Sequence, residues 1–175
     1  MERFRSCLAL LLLWALLVCG ACGYRFAGQG ELPSGIQKLY IPLLENRSGI
    51  TGIETIFTND LVYEFTRASR ASARLVKAED AADARLTGSI GPIAVKTITH
   101  RGHQVALERR VTVTLSVTIA SPDGTVLWSV EKLADHEAYP VSEDKLATEH
   151  NRREAIIEIS RRMAETVYNG FTTNF

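Results

Sequence analysis

Within residues 108–120, positions 110–119 alternate in character without a break. Val111, Val113, Leu115, Val117 and Ile119 take turns with Arg110, Thr112, Thr114, Ser116 and Thr118. Successive side chains of an extended chain point to opposite faces, so one face of this segment is apolar and the other wet. That pattern commits the chain to an antiparallel sheet with one covered and one open side. Ser121-Pro122-Asp123-Gly124 then makes a tight turn, and residues 125–134 return as the hairpin partner, with Val126, Trp128 and Val130 inward.

The cover for such a sheet is found on either side of it in the chain. Thr51 and Glu54 have the spacing of a capping box, which opens a helix by satisfying its free backbone N–H groups. Ile53, Phe57, Leu61 and Phe65 then recur every four residues as one buried stripe, and residues 67–74 form a basic, small-residue exit. After Pro140, with Ser142 or Asp144 as cap, a second amphipathic helix reaches Asn169. Ile156, Ile159, Met163 and Val167 line its stripe, and Gly170 stands where a helix-terminating glycine belongs.

Two further strands complete the layer. Residues 38–44 read as the first, with Pro42 suggesting an edge position, followed by a polar loop at 45–49. Residues 84–99 are strand-like but interrupted: Leu86 and Ile90 share one parity, Ile93 and Val95 the other, with Gly91-Pro92 between. Such a one-residue shift is what a bulge or bend produces. The order β–α–β–β–β–α defines an α+β two-layer sandwich, a four-stranded mixed sheet with two helices on one face. A single domain over residues 36–175 fits a chain of 175 residues.

The N-terminal segment is of another kind. Arg3 and Arg5 precede eleven apolar residues at positions 8–18, and small residues follow at Gly20 and Ala21. A basic start, a short apolar core and a small-residue exit mark a removable secretory signal over residues 1–21, too short to span a bilayer that needs about 20 apolar residues. All three cysteines, Cys7, Cys19 and Cys22, lie here, so the rest of the chain has neither a disulfide framework nor a cysteine zinc site. Cys19-Gly20-Ala21-Cys22 resembles a lipobox, although Cys19 stands where that pattern usually has Leu. The resemblance makes Cys22 the lipidation site: its thiol takes a diacylglyceryl group, and acyl chains worth about 0.8 kcal/mol per buried methylene hold the protein on a membrane. Gly23 after the cysteine, rather than Asp, implies the outer membrane. Residues 22–35, with four glycines and Pro33, read as a tether; its Tyr24 and Phe26 either pack on the domain or lie at the membrane surface. The lipobox implies a bacterium, so the glycosylation sequon Asn46-Arg47-Ser48 is discounted.

Three stretches carry a wider resemblance. Cys22-Gly23-Tyr24-Arg25-Phe26, then Ile41-Pro42-Leu43-Leu44-Glu45-Asn46-Arg47-Ser48 with Gly52-Ile53-Glu54, then Asp83-Ala84-Arg85-Leu86-Thr87-Gly88-Ser89-Ile90 are similar to landmarks of the LPS-assembly lipoprotein (LptE-type) family. The likeness covers essentially the whole mature chain, including the order of elements. It implies a non-enzymatic outer-membrane lipoprotein that sits partly inside a large β-barrel, LptD, plugs it, assists its folding, and helps deliver lipopolysaccharide to the outer leaflet. The alternative is a periplasmic scaffold or binding lipoprotein of another envelope complex. The Thr/Ser face suits a polar lumen and equally an ordinary solvent-facing sheet.

Lys96, His100, Arg101, His103, Arg109 and Arg110 concentrate positive charge around one hairpin. Arg and Lys bind phosphate through charge-assisted hydrogen bonds, so Lys96, Arg101, Arg109 and Arg110 are the candidate contacts for lipopolysaccharide or the barrel wall. The other reading is a solvated loop, with Arg110 beside Glu108. Without residues 1–21 the chain carries 18 basic and 19 acidic side chains, which argues against a nucleic-acid-coating protein. His100 and His103 have a spacing met in metal sites but no neighbouring cysteine or acid. No strained nucleophile turn and no glycine-rich phosphate cradle is present, so no catalytic residue and no cofactor are assigned.

Overall fold

The computed structural model describes residues 35–68, 74–101 and 105–173. The signal, Cys22, the tether as far as Ser34, and His103 lie outside them. The chain runs β1 (Lys38–Tyr40), β2 (Glu45–Asn46), α1 (Ile53–Ala68), β3 (Arg74–Val76), a 3-10 turn (Glu79–Ala81), β4 (Ala84–Ile90), β5 (Ala94–Arg101), β6 (Val105–Ala120), β7 (Val126–Pro140) and α2 (Lys145–Thr173). The α+β class holds, with both helices on one face of a mixed sheet.

The sheet has seven strands rather than four. β4 and β5 share the same side of β6. Ile90 pairs with Leu115 and pairing resumes at Ala94 with Thr112, so four steps on one side match three on the other. The Gly91-Pro92 bend is therefore a one-residue bulge in one long strand, and the Gly91 N–H still reaches the Thr114 carbonyl at 2.8 Å. The first strand is likewise split. β1 and β2 both run parallel to β4, but Tyr40 to Glu45 takes five steps where Arg85 to Ser89 takes four. Pro42 lies in this break, and Thr58 on α1 accepts the freed Leu44 N–H at 3.1 Å. β3 begins at the last residue of the expected helix exit: α1 stops at Ala68, and Arg74–Val76 pairs in parallel with β1.

The alternation of β6 is realised fully. Val111, Val113, Leu115, Val117 and Ile119 are all at most 1% exposed, and they meet Ile53, Phe57, Leu61 and Phe65 of α1 and Ile159, Met163 and Val167 of α2 in one core. Burying each such side chain stabilises the fold by about 1.5–3 kcal/mol. Gly88 lets β4 approach β6: a Cβ there would lie 2.5 Å from the Ser116 carbonyl oxygen.

Two helix ends differ in detail from the sequence pattern. The Glu54 carboxylate accepts from the Gly52 N–H at 3.3 Å and from the Asn46 amide at 2.6 Å, rather than closing a box with Thr51. α2 is capped by Asp144, which accepts the Leu146 N–H at 2.9 Å, but it continues through Gly170 to Thr173. Gly170 is there for packing, because the Trp128 ring lies against its Cα.

Candidate ligand and partner surface

The predicted cation cluster sits on the paired strands β5 and β6, where β6 also pairs with β7. Directly opposed residues of an antiparallel pair share a face. Lys96 faces Arg110, and Arg110 faces Ala138, all on the open side with Thr112, Thr114, Ser116 and Thr118. Thr97, Arg109 and Tyr139 form the next row, on the helix side. Adjacent arginines on one strand thus point to opposite faces. Arg101 is paired through its backbone with Val105, and its side chain lies outside the described atoms, as does that of His100.

Electrostatically the far end is unbalanced. Among the described residues no carboxylate forms an ion pair with Lys96, Arg109 or Arg110. Glu108, the nearest acid along the strand, accepts a hydrogen bond from the Thr99 hydroxyl at 3.0 Å. Two opposed like charges on a strand pair cost a few tenths of a kcal/mol up to about 1. The open face continues through Thr87 and Ser89 on β4 and Ser129 on β7, and its β6 hydroxyls are half-buried by their cross-strand neighbours.

Other polar groups hold the fold. Asn46 donates to the Ile50 carbonyl at 2.8 Å and to Glu54, and its oxygen accepts from the Ser48 N–H at 2.9 Å and hydroxyl at 2.6 Å. One amide therefore ties β2, its loop and the start of α1. The Glu54 carboxyl is held below its ordinary range, first by its own backbone N–H, then by the Asn46 amide and the Gly52 N–H. Beside it, the hydrogen bond from Arg47 lowers Glu45. Across the molecule, Arg162 on α2 spends all three guanidinium nitrogens on β7: Asp135 at 2.8 Å, Glu137 at 2.7 Å and the His136 carbonyl at 3.1 Å. The Asp135 hydrogen bond leads in raising the Arg162 pKa. Sequence reading missed both constellations. Asn46 had a signal in its Asx-type loop, whereas Arg162 depends on acids on a distant strand.

Concavities are modest. A 230 Å³ cleft between α1 and α2 is lined by Ile50, Ile53, Ile56, Ile156, His150 and Arg153, and an 830 Å³ groove runs between Leu43 and Lys77 beside β3. Among the described residues no three His, Cys, Asp or Glu side chains are grouped to hold a metal, and no helix is long and apolar enough to cross a membrane.

Fold and surface together define a small α+β sandwich of the kind found in bacterial lipoproteins. Uncharacterized lipoprotein B from Nitrosomonas europaea superposes with a TM-score of 0.55 at 13% identity, over 81% of this chain and 87% of that one. Rare lipoprotein B from Shewanella oneidensis gives 0.52 at 14% identity, over 76% and 92%. No curated protein sequence matches the chain. Its family is nevertheless defined by sequence: residues 36–170 match the LptE, lipopolysaccharide-assembly, profile, and the chain belongs to that family.

Proposed function

We propose that this protein is a lipid-anchored partner of a large, LptD-like outer-membrane β-barrel, which it plugs and helps to assemble during lipopolysaccharide delivery to the outer leaflet. The family match over residues 36–170 carries the reading. Cys22 is the acylated residue, and the anchor holds the domain on the periplasmic side of the outer membrane, where tethering raises its effective concentration at the barrel. A wide barrel has a polar lumen that must be sealed at rest, and the continuous Thr/Ser face of β6 is matched to such a wall. Lys96, Arg101, Arg109 and Arg110 supply contacts for the lipid A phosphates or for acidic groups on the barrel. Mild-detergent purification of the acylated chain tests the partnership. Co-isolation of a large heat-modifiable barrel supports it; recovery with a different envelope complex and no barrel overturns it in favour of a scaffold role.

A further inference from the structure

Besides the short β3, the sheet ends in two long strands, β5 and β7, whose outer edges are unpaired among the described residues, and these edges differ in kind. β7 is guarded against added strands. Its register slips twice against β6, Lys132 has a φ of 54°, and Pro140 at its end has no N–H to offer. Bulges, kinks and proline are the devices by which edge strands refuse new partners. β5 also slips twice against β6, between Thr97 and Thr99 and between Thr99 and His100, but it lacks proline, and Ala94–Thr97 pairs in unbroken register. Its apolar side chains stay accessible: Val95 is 41% exposed and Ile98 39%.

We infer that the outer edge of β5, over Ala94–Thr99, is a docking site for an extended segment that alternates acidic and apolar residues and adds to the sheet as a further strand. Backbone hydrogen bonds along the edge supply sequence-independent attraction, and alternate side chains supply specificity. An added strand shares the two faces of β5. On the open face its side chains come beside Lys96 and near Arg110, which lack ionic partners among the described residues; on the helix side they come beside Val95. Acidic residues fit the first face and apolar residues the second.

Charge also disfavours two other occupants. β5 carries Lys96 and Arg101 and no acid, so a second copy added through its own β5 would set two cationic edges against each other. The chain's own Tyr24-Arg25-Phe26 segment brings a further cation. The site needs no glycolipid, although it shares Lys96 and Arg110 with the lipopolysaccharide reading of the same end of the sheet.

The test uses the full chain in mild detergent with two synthetic peptides, one alternating valine with glutamate and one alternating valine with lysine. The glutamate peptide is expected to slow amide hydrogen exchange across residues 94–99, while the lysine peptide does not. Lys96→Glu, a surface change that leaves the core untouched, is expected to weaken the glutamate peptide about fivefold, the size of one exposed ion pair. Val95→Glu is expected to weaken it as well. Equal binding of the two peptides, protection confined to β7, or no protection at 94–99 would overturn the proposal. Lipopolysaccharide affinity is measured separately on the wild-type chain, so failure of one reading leaves the other intact.

Discussion

The Trp128 ring lies across the Cα of Gly170: a Cβ built on that glycine would fall 3.0 Å from Trp128 Cζ2. The indole is fixed in turn by Phe171, with ring centroids 6.2 Å apart. Ala at 170 improves helix propensity by about 1 kcal/mol while crowding the ring, two effects that oppose each other. A larger side chain has no such balance. Gly170→Leu is expected to destabilise by about 1–3 kcal/mol in urea unfolding, with a matching change in Trp128 fluorescence.

Gly88 is constrained by backbone, which cannot rotate away. With the Ser116 carbonyl oxygen 2.5 Å from the new Cβ, Gly88→Ala forces β4 from β6. We expect a loss of about 1–3 kcal/mol by chemical denaturation, larger than for alanine at Gly91, where the new Cβ would make only ordinary contact with Thr114.

Asn46 and Glu54 make a pH-dependent pair. The folded-state pKa of Glu54 lies below its ordinary value, so its contribution is complete above the unfolded value near 4.5 and is lost as pH falls through the folded one. Glu54→Gln is therefore expected to flatten the stability profile below about pH 4.5. Asn46→Asp sets two carboxylates together; it is expected to weaken the fold at neutral pH and to recover part of the loss in acid. Thermal unfolding across pH measures both.

Arg162 clasps α2 to β7 through a fork that lysine cannot reproduce. The site is part-exposed, with Asp135 28% and Glu137 36% accessible, so screening keeps its worth modest. Arg162→Met is expected to cost about 1–2 kcal/mol, Arg162→Lys somewhat less, and the gap from wild type should narrow at high salt in urea melts.

Replacing Lys96 or Arg110 by Gln separates stability from binding. Relief of the opposed charges is expected to leave unfolding unchanged or raised by a few tenths of a kcal/mol. Lipopolysaccharide affinity, read by a displacement assay, should fall for the same variants. Unchanged affinity with Lys96, Arg101, Arg109 and Arg110 all neutralised would remove them as ligand contacts.

What the sequence disclosed follows the range of the forces involved. β6 and both helix stripes were legible because periodicity is a local property, and even the bend at Gly91-Pro92 showed in the parity of Ile90 and Ile93. β3 was not, because Arg74-Leu75-Val76 is a strand only by virtue of lying beside β1. Gly170 was misread as a helix stop for the same reason, its cause being an indole on another element. Grouping Arg109 with Arg110 ignored information already present, since neighbours on a strand face opposite ways. The clasp of Arg162 on Asp135 and Glu137 had no local trace.

The single extra residue between β4 and β5 acts as an inverter. Upstream of it even-numbered positions such as Leu86 and Ile90 turn toward the helices; downstream the odd-numbered Val95 does, and Lys96 turns outward. Delete one residue at that corner and the same letters would present the opposite sides, lysine inward and valine to the open face. The side on which Lys96 meets Arg110 is thus written by a miscount of one.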